Sequence, residues 1–272
     1  MIAKWSSMSQ AERDAAYNNN GAVANSAELI ARRNAAAQAY RAANPAGLDI
    51  PYAAGARNKW DLFPSADVSA PCLVFIHGGY WQRNSREDFS HLAGGIRAHG
   101  WSAALPSHTL APDASLAEIV GELRQALDWL VKEGPRHGIS PRKLVVSGWS
   151  AGGHLAAMML SHPSVNAGLA ISGVYELGPI RDTVLNEKLQ LKDAEIASLS
   201  PLRLPVVKKP LAVAYGAKEL PALVADGRGL HALRTGHNAP GPLIEIAGAD
   251  HFTILDELER PDGQLVKSAL TI

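Results

Sequence analysis

Val145-Val146-Ser147-Gly148-Trp149-Ser150-Ala151-Gly152-Gly153-His154 is the stretch that decides the architecture. An apolar, β-branched run enters the pattern Gly-x-Ser-x-Gly, and the residues after it, Leu155 to Leu160, are Ala, Leu and Met. The first part favours a strand and the second a helix. A serine caught between the two sits in a tight, strained turn, so Gly148 and Gly152 must be small to let the strand and helix backbones pass closely. Five residues of pattern are weak on their own. The strand before them and the helix after them make Ser150 a candidate nucleophile.

Outward from this turn the chain alternates short apolar runs with amphipathic segments. Candidate strands lie at Leu48 to Tyr52, Lys59 to Phe63, Cys72 to His77, Trp101 to Leu105, Lys143 to Gly148, Ala167 to Ser172, Leu211 to Tyr215 and Leu243 to Ala247. Between them, Ser115 to Lys132 carries Leu116, Ile119, Val120, Leu123, Leu127 and Leu130 at helical spacing. Such alternation implies an α/β fold, a mostly parallel eight-stranded sheet with crossover helices on both faces. Before Leu48 nothing reads as a strand. Ser9 and Glu12 are spaced as a capping box, with a stop expected in Asn18-Asn19-Asn20-Gly21, and a second helix is expected from Ser26 to Ala43. Residues 1–47 are thus an N-terminal helical elaboration on one domain spanning 1–272. Between Val174 and Leu204 the pattern loosens, with a weak helix around Asn186 to Leu191, which suggests a cap-like excursion over the site.

Composition narrows the function classes. Hydrophobic residues make up 47% of the chain and charged residues 19%, enough apolar matter for a large core. Lys plus Arg balance Asp plus Glu at 26 each, so no global field attracts nucleic acid or an acidic membrane, and a small-molecule partner is expected. The single Cys72 opens an apolar run and reads as a buried small hydrophobe. The N-terminus lacks a signal-peptide core and no apolar run approaches the ~20 residues of a membrane span, so a soluble, cytoplasmic chain is expected.

Three further segments complete a chemistry around Ser150. Phe75-Ile76-His77-Gly78-Gly79-Tyr80-Trp81 ends a strand in a Gly-rich loop, which can present backbone N–H groups to a developing oxyanion. Gly79 and Tyr80, with Gly78 as a further candidate, join Ala151 as expected donors. His251 follows the last strand in the place a general base requires; His108 and His237 are its rivals, His77 and His154 read as structural donors, and His91, His99, His137, His162 and His231 read as surface. Glu219 is the expected acid, because the turn after Leu211 to Tyr215 holds no Asp. Asp250 adjoins the base too closely to orient it, and Asp226 falls in the following helix. Tyr80, Trp81 and Tyr175 follow strands whose C-terminal ends should open on the site, and are expected at the substrate. No metal-ligand spacing, P-loop or dinucleotide fingerprint is present, so no metal or cofactor is expected.

His77-Gly78-Gly79-Tyr80-Trp81 resembles the HGGxW motif of the kynurenine formamidase (arylformamidase) group of α/β-hydrolases, which is related to carboxylesterases. Trp60-Asp61-Leu62-Phe63-Pro64, the Gly148 to Leu155 segment, Ser198-Leu199-Ser200-Pro201-Leu202, Glu219-Leu220-Pro221 and His251-Phe252 extend the resemblance, from about Tyr17 onward. It implies the α/β-hydrolase fold, a serine hydrolase acting on an aryl formamide or small ester, and N-terminal helices packed near the active-site mouth. Homodimers are common in that group, so a homodimer is compatible with this chain. A carboxylesterase is the alternative activity, and a ligand-binding module that has lost catalysis the alternative class.

Overall fold

A computed structural model describes residues 5–272. Its centre is an eight-stranded sheet: β1 (Ile50–Pro51), β2 (Lys59–Phe63), β3 (Cys72–Ile76), β4 (Ser102–Pro106), β5 (Leu144–Trp149), β6 (Val165–Ile171), β7 (Leu211–Gly216) and β8 (Leu243–Ile246). They lie in the order β1-β2-β4-β3-β5-β6-β7-β8. β2 is antiparallel to both β1 and β4, and every other pairing is parallel. This is the α/β-hydrolase arrangement. All eight strands overlap the apolar runs of the sequence, with ends shifted by up to two residues. β1 is the shortest, because Pro51 has no N–H to extend a ladder.

Both faces of the sheet are buried, which is why its central strands read as continuous apolar runs. Alternate residues point to opposite sides. Cys72, Val74, Val146 and Val213 pack with α5 (Leu116–Glu133) and α6 (Ala151–Met159) on one side. On the other, Leu73, Phe75, Val145 and Ala212 pack with α4 (Ala93–Arg97), α11 (Asp256–Glu259) and α12 (Gln264–Thr271). The parallel register brings Ile76 beside Gly148, Trp149 beside Ile171 and Gly216 beside Ile246. The segments leaving β3, β5, β6, β7 and β8 therefore emerge at one edge, where ligands bind in parallel sheets.

At the N-terminus, α1 (Gln10–Ala15) carries the expected capping box of Ser9 and Glu12. It ends before the expected stop in Asn18 to Gly21. Asn18 instead caps a short α2 (Asn19–Ala22), its side chain accepting from Gly21 N–H at 3.0 Å, because Asn competes for turn and cap positions. The long α3 (Ser26–Ala43) follows as expected. The excursion from Val174 to Leu204 is more helical than its composition suggests: α7 (Gly178–Arg181), α8 (Asn186–Leu189) and α9 (Asp193–Leu199). It is tied to the N-terminal region by Trp5 Nε1 donating to Asp182 Oδ2 at 2.8 Å and Val184 N–H donating to Asp14 Oδ1 at 2.8 Å. Completing the layers, α10 (Pro221–Gly236) packs on β7. Among the described residues no helix is long and apolar enough to cross a membrane.

A buried ionic node fastens α3 to the sheet. Asp61 on β2 is fully buried and accepts from Arg86 Nε at 2.9 Å, Ser90 Oγ at 3.0 Å and Asp49 N–H at 3.1 Å. Arg41 of α3 also pairs with it, and Arg86 pairs with Asp49. His91 and His162, expected at the surface, are buried. His91 is enclosed where α3 covers the Ser90 to Leu92 turn, and His162 is held at 3.1 Å from Asp128. Removing the fully buried carboxylate of the node takes the acceptor from Arg86 Nε in a dry site and leaves that guanidinium only the partly exposed Asp49 and Glu87. Asp61→Ala is expected to lower the unfolding free energy by about 3 kcal/mol, measured by urea denaturation at neutral pH; a loss below about 1 kcal/mol, the worth of a surface pair, would show that the node does not anchor the helix.

Candidate active site

Ser150 occupies the turn between β5 and α6 with φ 59° and ψ −123°, left-handed backbone that a non-glycine residue rarely adopts. The glycines around it explain how the turn is held. A Cβ on Gly148 would lie 2.1 Å from the Gly152 carbonyl oxygen, and one on Gly152 would lie 2.0 Å from that of Ile76. Strand β3, strand β5 and helix α6 thus meet backbone to backbone, and Ser150 is pushed out at their junction. Its N–H donates to Ile171 C=O at 2.8 Å, fixing it to β6.

The turn after β7 and the loop after β8 bring Glu219 and His251 to Ser150. His251 Nε2 is 3.1 Å from Ser150 Oγ, and His251 Nδ1 is 3.2 Å from Glu219 Oε2. All three residues are buried. The other carboxylate oxygen of Glu219, Oε1, accepts from Gly216 N–H at 2.8 Å and from the Ser172 hydroxyl. One oxygen is therefore held by the protein frame and the other faces the imidazole. With Glu219 ionised, Nδ1 carries the proton and Nε2 is left as an acceptor for the Ser150 hydroxyl. His237 is exposed and donates from Nδ1 to Leu233 C=O at 2.9 Å, and His108 stacks on His77 with ring centroids 4.6 Å apart; neither faces Ser150. Asp250 caps the N–H groups of Phe252 and Thr253, and Asp226, in α10, accepts from Tyr175 and Glu176 N–H.

The loop after β3 is held by its carbonyl. Gly78 C=O is 2.9 Å from His77 Nδ1 and accepts from Asn84 Nδ2 at 3.2 Å. In a trans peptide the N–H points opposite to the C=O, so anchoring Gly78 C=O in the scaffold turns the Gly79 N–H the other way. Among the described residues no protein acceptor takes up the N–H of Gly79 or Tyr80, and Ala151, as the first residue of α6, has a free first-turn N–H. Gly79 and Tyr80 share a cavity with Ser150 and His251, and a Cβ on Gly78 would lie 3.0 Å from Ser150 Cβ.

Of the three aromatic residues expected at the substrate, Tyr80 lines this cavity while Trp81 and Tyr175 lie in the core behind it. The reasons are local. Tyr80 and Trp81 both have positive φ, which turns Trp81 back to pack edge-on against His154, centroids 5.1 Å apart. The Tyr175 segment is drawn inward by Asp226. The hydroxyl of Tyr80 is itself tied up, donating to Tyr17 C=O at 2.5 Å and accepting from Asn19 Nδ2 at 2.9 Å.

Several contributors escape a reading of the sequence. Asn19, Asn20, Ile30 and Arg33 of the N-terminal helices form one wall of the cavity, with Arg83 and Asn84. Trp149 donates its indole N–H to His251 C=O at 2.7 Å, its ring 4.7 Å from the imidazole. Ser172, at φ 51°, turns its hydroxyl to Glu219. Burial pushes His154 and His108 down to about 4, and holds His77 well below the usual histidine range with His108 adding to the effect. These three stay neutral at physiological pH. Among the described residues no group of three His, Cys, Asp or Glu side chains is placed to hold a metal ion.

The backbone junction makes a stability prediction independent of chemistry. Gly152→Ala must separate α6 from β3 and is expected to cost more than about 2 kcal/mol by chemical denaturation, whereas Gly121→Ala, where a Cβ meets nothing within 4 Å, is expected to be neutral or stabilising. Equal effects would mean that the junction is not close-packed.

Comparison with known proteins agrees with the fold. The BD-FAE family model matches residues 61–167. A kynurenine formamidase of Danio rerio is 25% identical over 99% of this chain and 98% of its own length, and one of Salmo salar is 27% identical over 82% and 80%. The crystal structure of a candidate thioesterase from Silicibacter superposes with a TM-score of 0.83 at 29% identity, covering 95% of this chain and 99% of that one. An esterase of Pyrobaculum calidifontis, 18% identical with a TM-score of 0.70 over 90% of this chain and 92% of its own, shares the fold. With its sheet order, its strand–serine–helix turn and homologues named as kynurenine formamidases at moderate identity along most of its length, the chain belongs to the α/β-hydrolase superfamily.

Proposed function

We infer that this hydrolase of small esters or amides works through a serine acyl-enzyme, and that its preferred substrate is an aryl formamide of the N-formylkynurenine kind. The observation that carries the mechanism is the unbroken line of contacts from Glu219 Oε2 through the His251 ring to Ser150 Oγ. Ser150 Oγ attacks the substrate carbonyl as His251 Nε2 takes its proton. The resulting oxyanion is met by the N–H groups of Ala151, Gly79 and Tyr80, with Gly78 shaping the loop that carries them. Glu219 keeps Nδ1 protonated and stabilises the imidazolium. His251 then gives its proton to the leaving amine or phenol, and water, activated by the same ring, releases formate or another small acid and restores Ser150.

The formamidase preference is supported by the similarity to the two fish proteins over most of the chain. A carboxylesterase of different natural substrate is the second reading, supported by the similarity to the Silicibacter candidate thioesterase. Both use the same acyl-enzyme, so only substrate comparison separates them.

Turnover of N-formylkynurenine, p-nitrophenyl acetate and p-nitrophenyl butyrate is expected to fall by about 10³-fold or more in Ser150→Ala, with the formamide the best of the three substrates for wild type. Ester turnover alone would favour the carboxylesterase, and activity that survives in Ser150→Ala would sink the mechanism. Trp149 positions the base through its carbonyl, so Trp149→Phe, which keeps a ring and loses the N–H, is expected to lower kcat by about three- to tenfold with KM little changed. A change confined to KM would instead place Trp149 at the substrate.

A further inference from the structure

The cavity that holds Ser150 is lined by two cationic side chains, Arg33 and Arg83, and by no Asp or Glu. Arg83 is exposed, whereas Arg33 is half-buried. Other arginines taken out of water in this protein meet carboxylates or backbone carbonyls: Arg41 and Arg86 both pair with Asp61 and Asp49, and Arg234 donates to the carbonyls of Val207, Lys209 and Pro240. Arg33 meets neither. Among the described residues it forms no ion pair; its Nε and Nη2 donate to one neutral oxygen, Asn34 Oδ1, at 3.1 and 2.9 Å, and its guanidinium lies 4.3 Å above the Phe89 ring.

This arrangement fixes the plane of the group without neutralising its charge. Burial pushes the Arg33 guanidinium below its usual range, with only Asp88 opposing, and Asp88 Oδ2 is engaged by Ser85 N–H. Asn34 occupies the Nε/Nη2 edge, so the Nη1/Nη2 edge is left for another acceptor. A planar fork of two donors is the shape that a carboxylate matches. Arg83 also borders a second cavity, which shares Asn19, Asn20 and Tyr80 with the first and gives a substrate room beyond the bond being cleaved.

We propose that Arg33, assisted by Arg83, binds a carboxylate carried by the substrate, so that the site selects anionic esters and amides over neutral ones of the same shape. The proposal rests on the serine-hydrolase reading of Ser150. The carboxylate lies away from the reacting carbonyl and is bound alike before and during the reaction, so the preference resides in KM.

Phenol release from 4-acetoxyphenylacetate and from its N-methyl amide compares an anion with a neutral probe of similar size. Wild type is expected to favour the anion in kcat/KM by about tenfold or more, through KM, and to lose part of that preference as salt rises from about 0.05 to 0.5 M. Arg33→Gln is expected to bring the ratio of the two substrates near one, and Arg33→Lys to retain part of it. Wild-type turnover that depends on Ser150 but treats the two probes alike would overturn the proposal, as would an Arg33→Gln enzyme in which both rates fall in proportion. If Arg33→Gln fails to fold, the wild-type ratio and its salt dependence still decide. Turnover of neither probe, or turnover that survives Ser150→Ala, overturns the hydrolase reading itself and the proposal with it.

Discussion

Three backbones meet with no side chain between them at Ile76, Gly148 and Gly152, and the geometry around Ser150 follows from that contact. A Cβ at either glycine would overlap a carbonyl oxygen. The close approach fixes the direction in which β5 hands over to α6, and it puts the end of β3 beside the same turn. The positive φ of Ser150 is maintained because the strands on both sides and the helix above leave it no alternative. Strain of this kind survives only in a rigid surround, and here the surround is a sheet buried on both faces.

Around that junction, polar groups are divided by what holds them. Glu219 gives one oxygen to Gly216 and Ser172 and the other to His251; the Gly78 carbonyl is given to His77 and Asn84, which turns the next N–H away from them; His251 is gripped through its carbonyl by Trp149. In each case the scaffold binds one end of a dipole or carboxylate and leaves the other facing the cavity. Groups fixed in this way need little reorganisation when charge develops opposite them. His77, His108 and His154, buried and neutral, act as fixed packing and hydrogen-bonding groups.

The sheet was legible because burial on two faces writes each inner strand as an apolar run: the run from Lys59 to Phe63 ends where its strand does, and that from Cys72 to His77 ends one residue beyond. That Ser150, Glu219 and His251 would meet was legible from chain order and from the elements that precede them. What the sequence concealed depends on contacts between distant segments. Asn19 and Arg33 reach the cavity because the Asp61 node fastens α3 to β2, and nothing in the polar, Ala-rich text of α3 reveals which face turns inward. His91 and His162 were misread for the same reason. Trp81 and Tyr175 follow strands as pocket residues do, but two successive left-handed residues and the pull of Asp226 fold them into the core. Trp149 did leave a signal: a large aromatic directly beside the candidate nucleophile.

The cavity is built from two materials with different tolerance to change. Its floor is backbone packed on backbone, where a single methyl group is too much. Its wall at Asn19, Asn20, Ile30 and Arg33 belongs to helices laid over the sheet and fastened by side chains, with the Asp61 node well removed in sequence from the residues that face the cavity. Substitutions in that wall can accumulate without disturbing the junction beneath it. Diversification of substrate range in such a protein has an inexpensive route: the outer helices can drift while the reactive centre stands still, so that descendants with unlike appetites would still share one unaltered core.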